Sequence, residues 1–225
     1  MLLIKKLTPI SMFRDRRVQI TGFVGVGKIR FEFQWRDEQL LLRSIQKLES
    51  EGLHIQIFNS DKILSPKHLY YAVYFAEQAF ALSSNISKKK SIEYLIYASF
   101  QRQIKNAIDS VGFTFDGSNH PNKAYIVITA HLKKMVMQKY TELLETLHAS
   151  SVDEELPPLK LERMRYFQDT FQISDFELKN SLHCLGLPVA SDYSDQEESI
   201  KLHALLNIFI EKMAQLLMEN FKQAN

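Results

Sequence analysis

Apolar positions along this chain change period several times, and the changes mark out its elements. Val18 to Val24 (VQITGFV), Leu53 to Phe58 (LHIQIF) and Ala124 to Ala130 (AYIVITA) alternate or run apolar over short spans rich in β-branched residues. That pattern predicts strands, the third apolar enough to be central. Between the first two, Arg36 to Glu51 has helical spacing, with Leu40, Ile45 and Leu48 among polar residues and Gly52 closing it. Ile63 to Gly112 predicts consecutive helices. In the first, Ser65 is the N-cap, Pro66 takes the opening position, and Leu69, Val73, Ala76 and Phe80 form the buried stripe. The second buries Ile92, Leu95, Ile96 and Ser99. The third buries Ile104, Ala107, Ile108 and Val111, with Gly112 as the left-handed residue that ends it. A polar tripeptide, Gln101-Arg102-Gln103, sits at the junction of the second and third helices.

Further along, Asp116-Gly117-Ser118-Asn119 and Pro121 signal a loop before the third strand. Leu132 to Leu147 reads as a helix, and Ser150 to Pro158 (SSVDEELPP) as an acidic link. Ser174 and Glu177 form a capping box, with Ile173 and Leu178 in staple positions; Ser194 and Glu197 predict a second box. The last helix, roughly Gln196 to Phe221, is apolar over more than one stripe. Such a helix is either central in a core or covered by a second molecule. The order of elements predicts an α/β (α+β) fold: a small mixed sheet with helices packed on it and a helical C-terminal region.

Composition narrows the classes only slightly. The 225 residues are 45% hydrophobic and 24% charged, ordinary for a soluble globular protein. A formal net charge of +2 means that any nucleic-acid contact must come from a local basic patch. The single cysteine, Cys184, forms no internal disulfide; the expectation is a buried structural thiol in a reducing cytoplasm. The opening MLLIKKLTPISMF is too short and interrupted for a signal peptide, and no run approaches the roughly 20 apolar residues of a membrane helix.

Three motifs bear on chemistry. Gly22 to Lys28 (GFVGVGK) fits a phosphate-binding loop, but Ile29 stands where the loop needs a hydroxyl for Mg²⁺. A glycine-rich turn is the alternative, and no ATP binding is expected. Neither the histidines nor any Ser/His/Asp set has an active-site spacing, so no catalytic residue, metal or cofactor is expected. Lys88-Lys89-Lys90 opens the second helix, where cations oppose the macrodipole unless an anion binds. With Lys67, His68, Arg102 and Lys105 these lysines would form one basic surface if the helices pack side by side. Tyrosines at 70, 71, 74, 94 and 97 are interleaved with them, most of them expected in the core.

ILSPKHLYYAVYFAEQAF followed by NISKKKSIEYLIYASFQRQIKNAIDSVGF resembles the kinase-binding small subunit of the KEOPS (EKC) complex, the TPRKB family, in its archaeal form. In that family Ala-Ser-Gly commonly precedes the Arg-Gln-Ile; here Phe100 takes the glycine's place in Ala98-Ser99-Phe100-Gln101-Arg102-Gln103-Ile104. Ile173 to Leu178 and Gln196-Glu197-Glu198-Ser199-Ile200 also match. The resemblance implies one domain over residues 1–225, lengthened at about 132–165. It implies a non-enzymatic subunit that binds the small kinase/ATPase of the complex and, through it, serves the threonylcarbamoyl-transferase subunit. Archaeal members also bind the 3′ CCA end of tRNA. On this reading tRNA meets Arg102, Gln103, Lys67, His68, Lys88, Lys89, Lys90 and Lys105. The kinase meets Ile200, Leu205, Leu206 and Phe209, joined by Ile92.

Overall fold

The computed structural model describes residues 2–8, 20–32, 37–114, 122–153, 159–186 and 198–224. Its strands are β1 (Leu2–Lys6), β2 (Phe23–Phe31), β3 (His54–Asn59), β4 (Lys123–Ala130) and β5 (Ala149–Val152). Its helices are α1 (Glu38–Gln46), α2 (Pro66–Ala81), α3 (Lys90–Ser99), α4 (Ile104–Val111), α5 (Lys133–Leu147), α6 (Leu161–Phe171), α7 (Asp175–Cys184) and α8 (Glu198–Ala224). The sheet runs β1-β2-β4-β3, with β5 also on β2, and every pairing is antiparallel. The long strand β2 shares one edge between two short partners. Its first half, Phe23 to Gly27, takes β1, and Lys28 to Phe31 takes β5. β4 is central, as its apolar run predicts.

Alternation along the strands divides the core in two. Val24, Val26, Tyr125, Val127 and Phe58 face a layer built from α2, α3, α6, α7 and α8. Ile29, Phe31, Ile55, Ile57, Ile126 and Ile128 face the smaller layer of α1 and α5. With both faces covered, β4 is buried from Ala124 onward, so its sequence shows no polar alternation.

The glycine-rich stretch is neither a phosphate loop nor a turn: from Phe23 onward it is strand β2, which continues past Lys28 to Phe31. Gly25 and Gly27 lie on the face covered by α5, and they let that helix approach. A Cβ on Gly27 would fall 2.6 Å from Tyr140 Cε2, and one on Gly25 would meet Val136 and Leu2. The missing side chains are a packing requirement, not a cradle for an anion.

Other expectations shift in physically readable ways. The buried face of α1 is Leu41 and Ile45, with Leu48 buried just past its end, while Leu40 is exposed; Asp37 opens the helix by accepting from the N–H groups of Gln39 and Leu40. Ser150 to Val152, read as linker, pair with β2 as part of β5. Ile104 is exposed, and Gly112 is extended (φ −64°), so it is not the left-handed cap. Glycine is still required at 112, because a Cβ would lie 2.5 Å from the carbonyl oxygen of Ile108, which accepts from the Gly112 N–H. Ser174 and Glu177 form the expected capping box, and the staple pair Ile173 and Leu178 is buried. The box at Ser194 and Glu197, the loop 115–121, most of the acidic link and residues 18 and 19 of the strand predicted at 18–24 lie outside the described residues; Ile20 to Gly22 are described and are not strand, so β2 begins only at Phe23.

Gly27→Ala is expected to destabilise the protein by about 1–3 kcal/mol, the usual cost of overpacking. Combined with Tyr140→Ala the same substitution should cost measurably less, a coupling that urea midpoints of the double-mutant cycle would read.

Candidate functional site

The residues that single out this chain lie on α2, α3 and the turn into α4. Ser65 caps α2 by accepting from the N–H of His68 at 3.3 Å, and Pro66 fills the first turn without wasting a donor. α2 and α3 then run antiparallel, pinned near both ends. At one end His68 is completely buried. Its Nδ1 accepts from the Leu64 N–H at 3.3 Å, and its Nε2 pairs with the carbonyl of Ala98 at 2.9 Å, so Nε2 holds the proton. The ring stands edge-on to Phe209 at 4.7 Å and Phe171 at 6.1 Å. Burial lowers its pKa to about 4, the Ala98 hydrogen bond opposing in part.

At the other end, Glu77 on α2 accepts from Lys90 Nζ at 2.6 Å and from Tyr94 Oη at 2.7 Å, and Tyr94 Oη lies 2.9 Å from Thr129 Oγ1 on β4. Burial, followed by the Glu77 charge, raises the Tyr94 hydroxyl well above its ordinary value. Tyr94 is thus a neutral donor that ties both helices to the sheet. Glu93 is buried too and closes the turn before α3, accepting from the N–H groups of Ile86 and Ser87 at 3.1 and 2.7 Å. Its burial raises its pKa against those bonds.

α3 ends at Phe100, whose backbone is left-handed (φ 58°). Glycine is the residue that adopts this conformation without strain. Here the aromatic ring offsets the strain by packing 5.0 Å from Phe209 and 5.3 Å from Phe171. The chain then turns outward, so Arg102, Gln103, Ile104 and Lys105 are exposed at the start of α4, which has no side-chain cap. Lys67 is exposed in the first turn of α2, at the end of the hairpin where His68 meets Ala98.

Two expectations about this surface need correcting. His68 cannot meet a ligand: it is a core residue with both ring nitrogens engaged. Lys88, Lys89 and Lys90 do not join Arg102. They lie at the opposite end of α3, whose ten residues span about 15 Å. Lys88 and Lys89 precede the helix and are exposed, whereas Lys90 is paired with Glu77. Arg102 itself reaches across to α8, where it donates to Gln223 Oε1 and lies 3.8 Å from Glu219.

The residues expected to meet a kinase are also redistributed. Leu205 and Phe209 are fully buried and Leu206 nearly so, on the face of α8 that packs against the α2 layer. The wide apolar surface of that helix is core, because α2, α3 and α7 all lie against it. Ile200 and Ile92 stay half-buried. Ile92 also lines a hollow of about 130 Å³ with Leu42, Ile45, Leu95 and Ile108 among polar residues such as Glu49 and Gln56. Cys184, expected in the core, is exposed at the end of α7. The Glu77–Tyr94–Thr129 link was not foreseeable, since nothing in the spacing of those residues marks it.

Among the described residues no group of three or more His, Cys, Asp or Glu side chains could hold a metal ion, and no helix is long and apolar enough to cross a membrane. No protein-family model matches the chain, and no curated protein matches it.

The low pKa of His68 has a definite sign. The folded state holds the ring neutral while the unfolded chain binds a proton near pH 6.5, so its contribution is complete above that value and declines as pH falls toward 4. The loss over that window should approach about 3 kcal/mol. His68→Gln should lower stability at pH 7 and flatten the dependence between pH 6.5 and 4, measured by urea unfolding of both proteins across that range.

Proposed function

We propose that this protein is a non-catalytic subunit of a KEOPS-type assembly, binding its small kinase/ATPase and presenting the 3′ CCA end of tRNA for threonylcarbamoyl-adenosine modification. The sequence resemblance over 63–112 supports the reading. The observation that carries it is the Phe100–Lys105 turn. An arginine and a glutamine are held outward on a base made rigid by buried His68, Phe171 and Phe209 and by half-buried Phe100. A guanidinium in that place can grip a phosphate bidentately or stack on an unpaired base, as a lysine cannot. The uncapped N–H groups of α4 beside it also favour an anion. Lys67 and Lys105 are the accompanying cations.

For Arg102 to engage RNA it must leave Glu219 and Gln223. Exposed pairs of this kind are worth about 0–1 kcal/mol, so the exchange is energetically open. Kinase contact is assigned to Ile200 and Ile92, the two candidates that keep exposed surface, and no longer to Leu205, Leu206 or Phe209.

Arg102→Glu should weaken binding of tRNA strongly in a gel-shift titration while changing the melting temperature little. Glu219→Gln, which releases the guanidinium, should strengthen it. Removing the CCA end should match the loss in Arg102→Glu, and the two losses should not add. Unchanged affinity for tRNA without its 3′ tail refutes the assignment of this turn.

A second measurement addresses the partner. Ile200→Glu or Ile92→Glu should abolish co-purification with the kinase of the organism's own complex, with far-ultraviolet circular dichroism unchanged. Retained co-purification in both variants rules out both residues as kinase contacts.

A further inference from the structure

A cleft of about 560 Å³ opens among the 3-10 turn Ser60–Lys62, the facing ends of β2 and β4, and the first turns of α6. Its size lies within the range of small-molecule sites. Lys28, Lys62 and Arg163 line it, against the carboxylates of Asp61 and Glu162. The three cations are held in place by contacts from different elements. Lys62 Nζ donates to the backbone carbonyl of Asp109 at 2.8 Å, and Lys28 Nζ stands 6.0 Å over the ring of Tyr125. Arg163 donates to the carbonyl of Ile63 at 3.2 Å and lies 5.1 Å over Phe167. Burial lowers the pKa of Lys62, with the charge of Asp109 opposing, and burial also lowers that of Arg163. Both cations are therefore partly desolvated, and Arg163 also feels the opposing charges of Tyr125 and Asp61.

At the mouth stands Tyr166, 40% exposed, its ring backed edge-on by buried Phe167 at 5.5 Å. Buried Tyr125 contributes to the inner wall. A supported, accessible aromatic ring beside fixed cations offers both things an unpaired nucleotide needs: a face for its base and charge for its phosphate.

We propose that this cleft binds a single unpaired nucleotide, with its base against Tyr166 and its phosphate between Lys62 and Arg163. The nucleotide could be free in solution or the unpaired end of an RNA strand, since both present the same chemistry. The inference stands on the cleft alone and does not rest on the reading of the Phe100–Lys105 turn.

The test is calorimetric titration of the full chain with AMP, with inorganic phosphate and with a short single-stranded oligoribonucleotide. AMP or the oligoribonucleotide should saturate one site and bind more tightly than phosphate. Tyr166→Ala should weaken that binding about five- to tenfold, in line with loss of one stacked base. Lys62→Gln should weaken it and reduce its salt dependence. Both replaced side chains are partly or well exposed, so the variants should keep wild-type circular dichroism. Arg102→Glu should leave AMP binding unchanged, which separates this site from the turn. Tighter binding of the oligoribonucleotide than of AMP identifies an RNA end as the source; equal affinities identify a free nucleotide. The proposal is overturned if neither ligand saturates, if phosphate binds as tightly as AMP, or if Tyr166→Ala and Lys62→Gln bind like wild type.

Discussion

The architecture depends on how α2 is locked against α3. Helices packed only through apolar side chains can slide by a turn, because one ridge of aliphatic groups resembles the next. Here the register is set by polar groups that each have one satisfactory arrangement. His68 must reach the last carbonyls of α3, and Tyr94 must find Glu77 on one side and Thr129 on the other. A misregistered pair would leave a buried imidazole, hydroxyl and carboxylate without partners, each a substantial penalty in a site shut off from water. Glu93 adds the same constraint to the turn leading into α3. The hairpin is thereby fixed both internally and against the sheet.

That fixed hairpin positions everything proposed to be functional. Since Ala98 is held by His68, the left-handed residue Phe100 comes where its ring can enter the cluster of Phe171 and Phe209, and the next residues have nowhere to go but outward. The exposure of Arg102 and Gln103 thus follows from the burial of their neighbours. The chain of contacts also continues the other way. Leu64 donates to His68, and the adjacent Ile63 carbonyl accepts from Arg163, which lines the polar cleft. One buried imidazole therefore lies between two surface features of the same molecule.

The second structural theme is economy of space on the α5 side of the sheet. Gly25 and Gly27 remove side chains where Val136 and Tyr140 must come close, and β2 can then be covered on that face by a helix while still pairing along both edges. A sequence that resembles an anion-binding loop is in this fold a strand adapted to a close neighbour. The same letters serve different physics because the pattern alone does not say whether a glycine is absent of side chain for a ligand or for a helix.

Local interactions made much of the chain legible without coordinates. Ser65-Pro66 opens α2, the Ser174–Glu177 box opens α7, and the apolar run of β4 marks the centre of the sheet; each depends on residues within a turn or two of one another. The polar junction at Gln101–Gln103 between two helices was legible for the same reason. What sequence could not decide was partnership between distant segments. Leu205, Leu206 and Phe209 have the composition of a docking face, and only the arrival of α2 and α7 makes them core. His68 has the composition of a ligand contact, and only the approach of Ala98 and Phe209 makes it a buried strut. The lysines at 88–90 looked contiguous with Arg102 along the chain, yet a rigid helix keeps them at its far end, because helical rise converts ten residues into about 15 Å of separation. Periodicity reports how much of a helix is buried; which neighbour buries it is settled by packing.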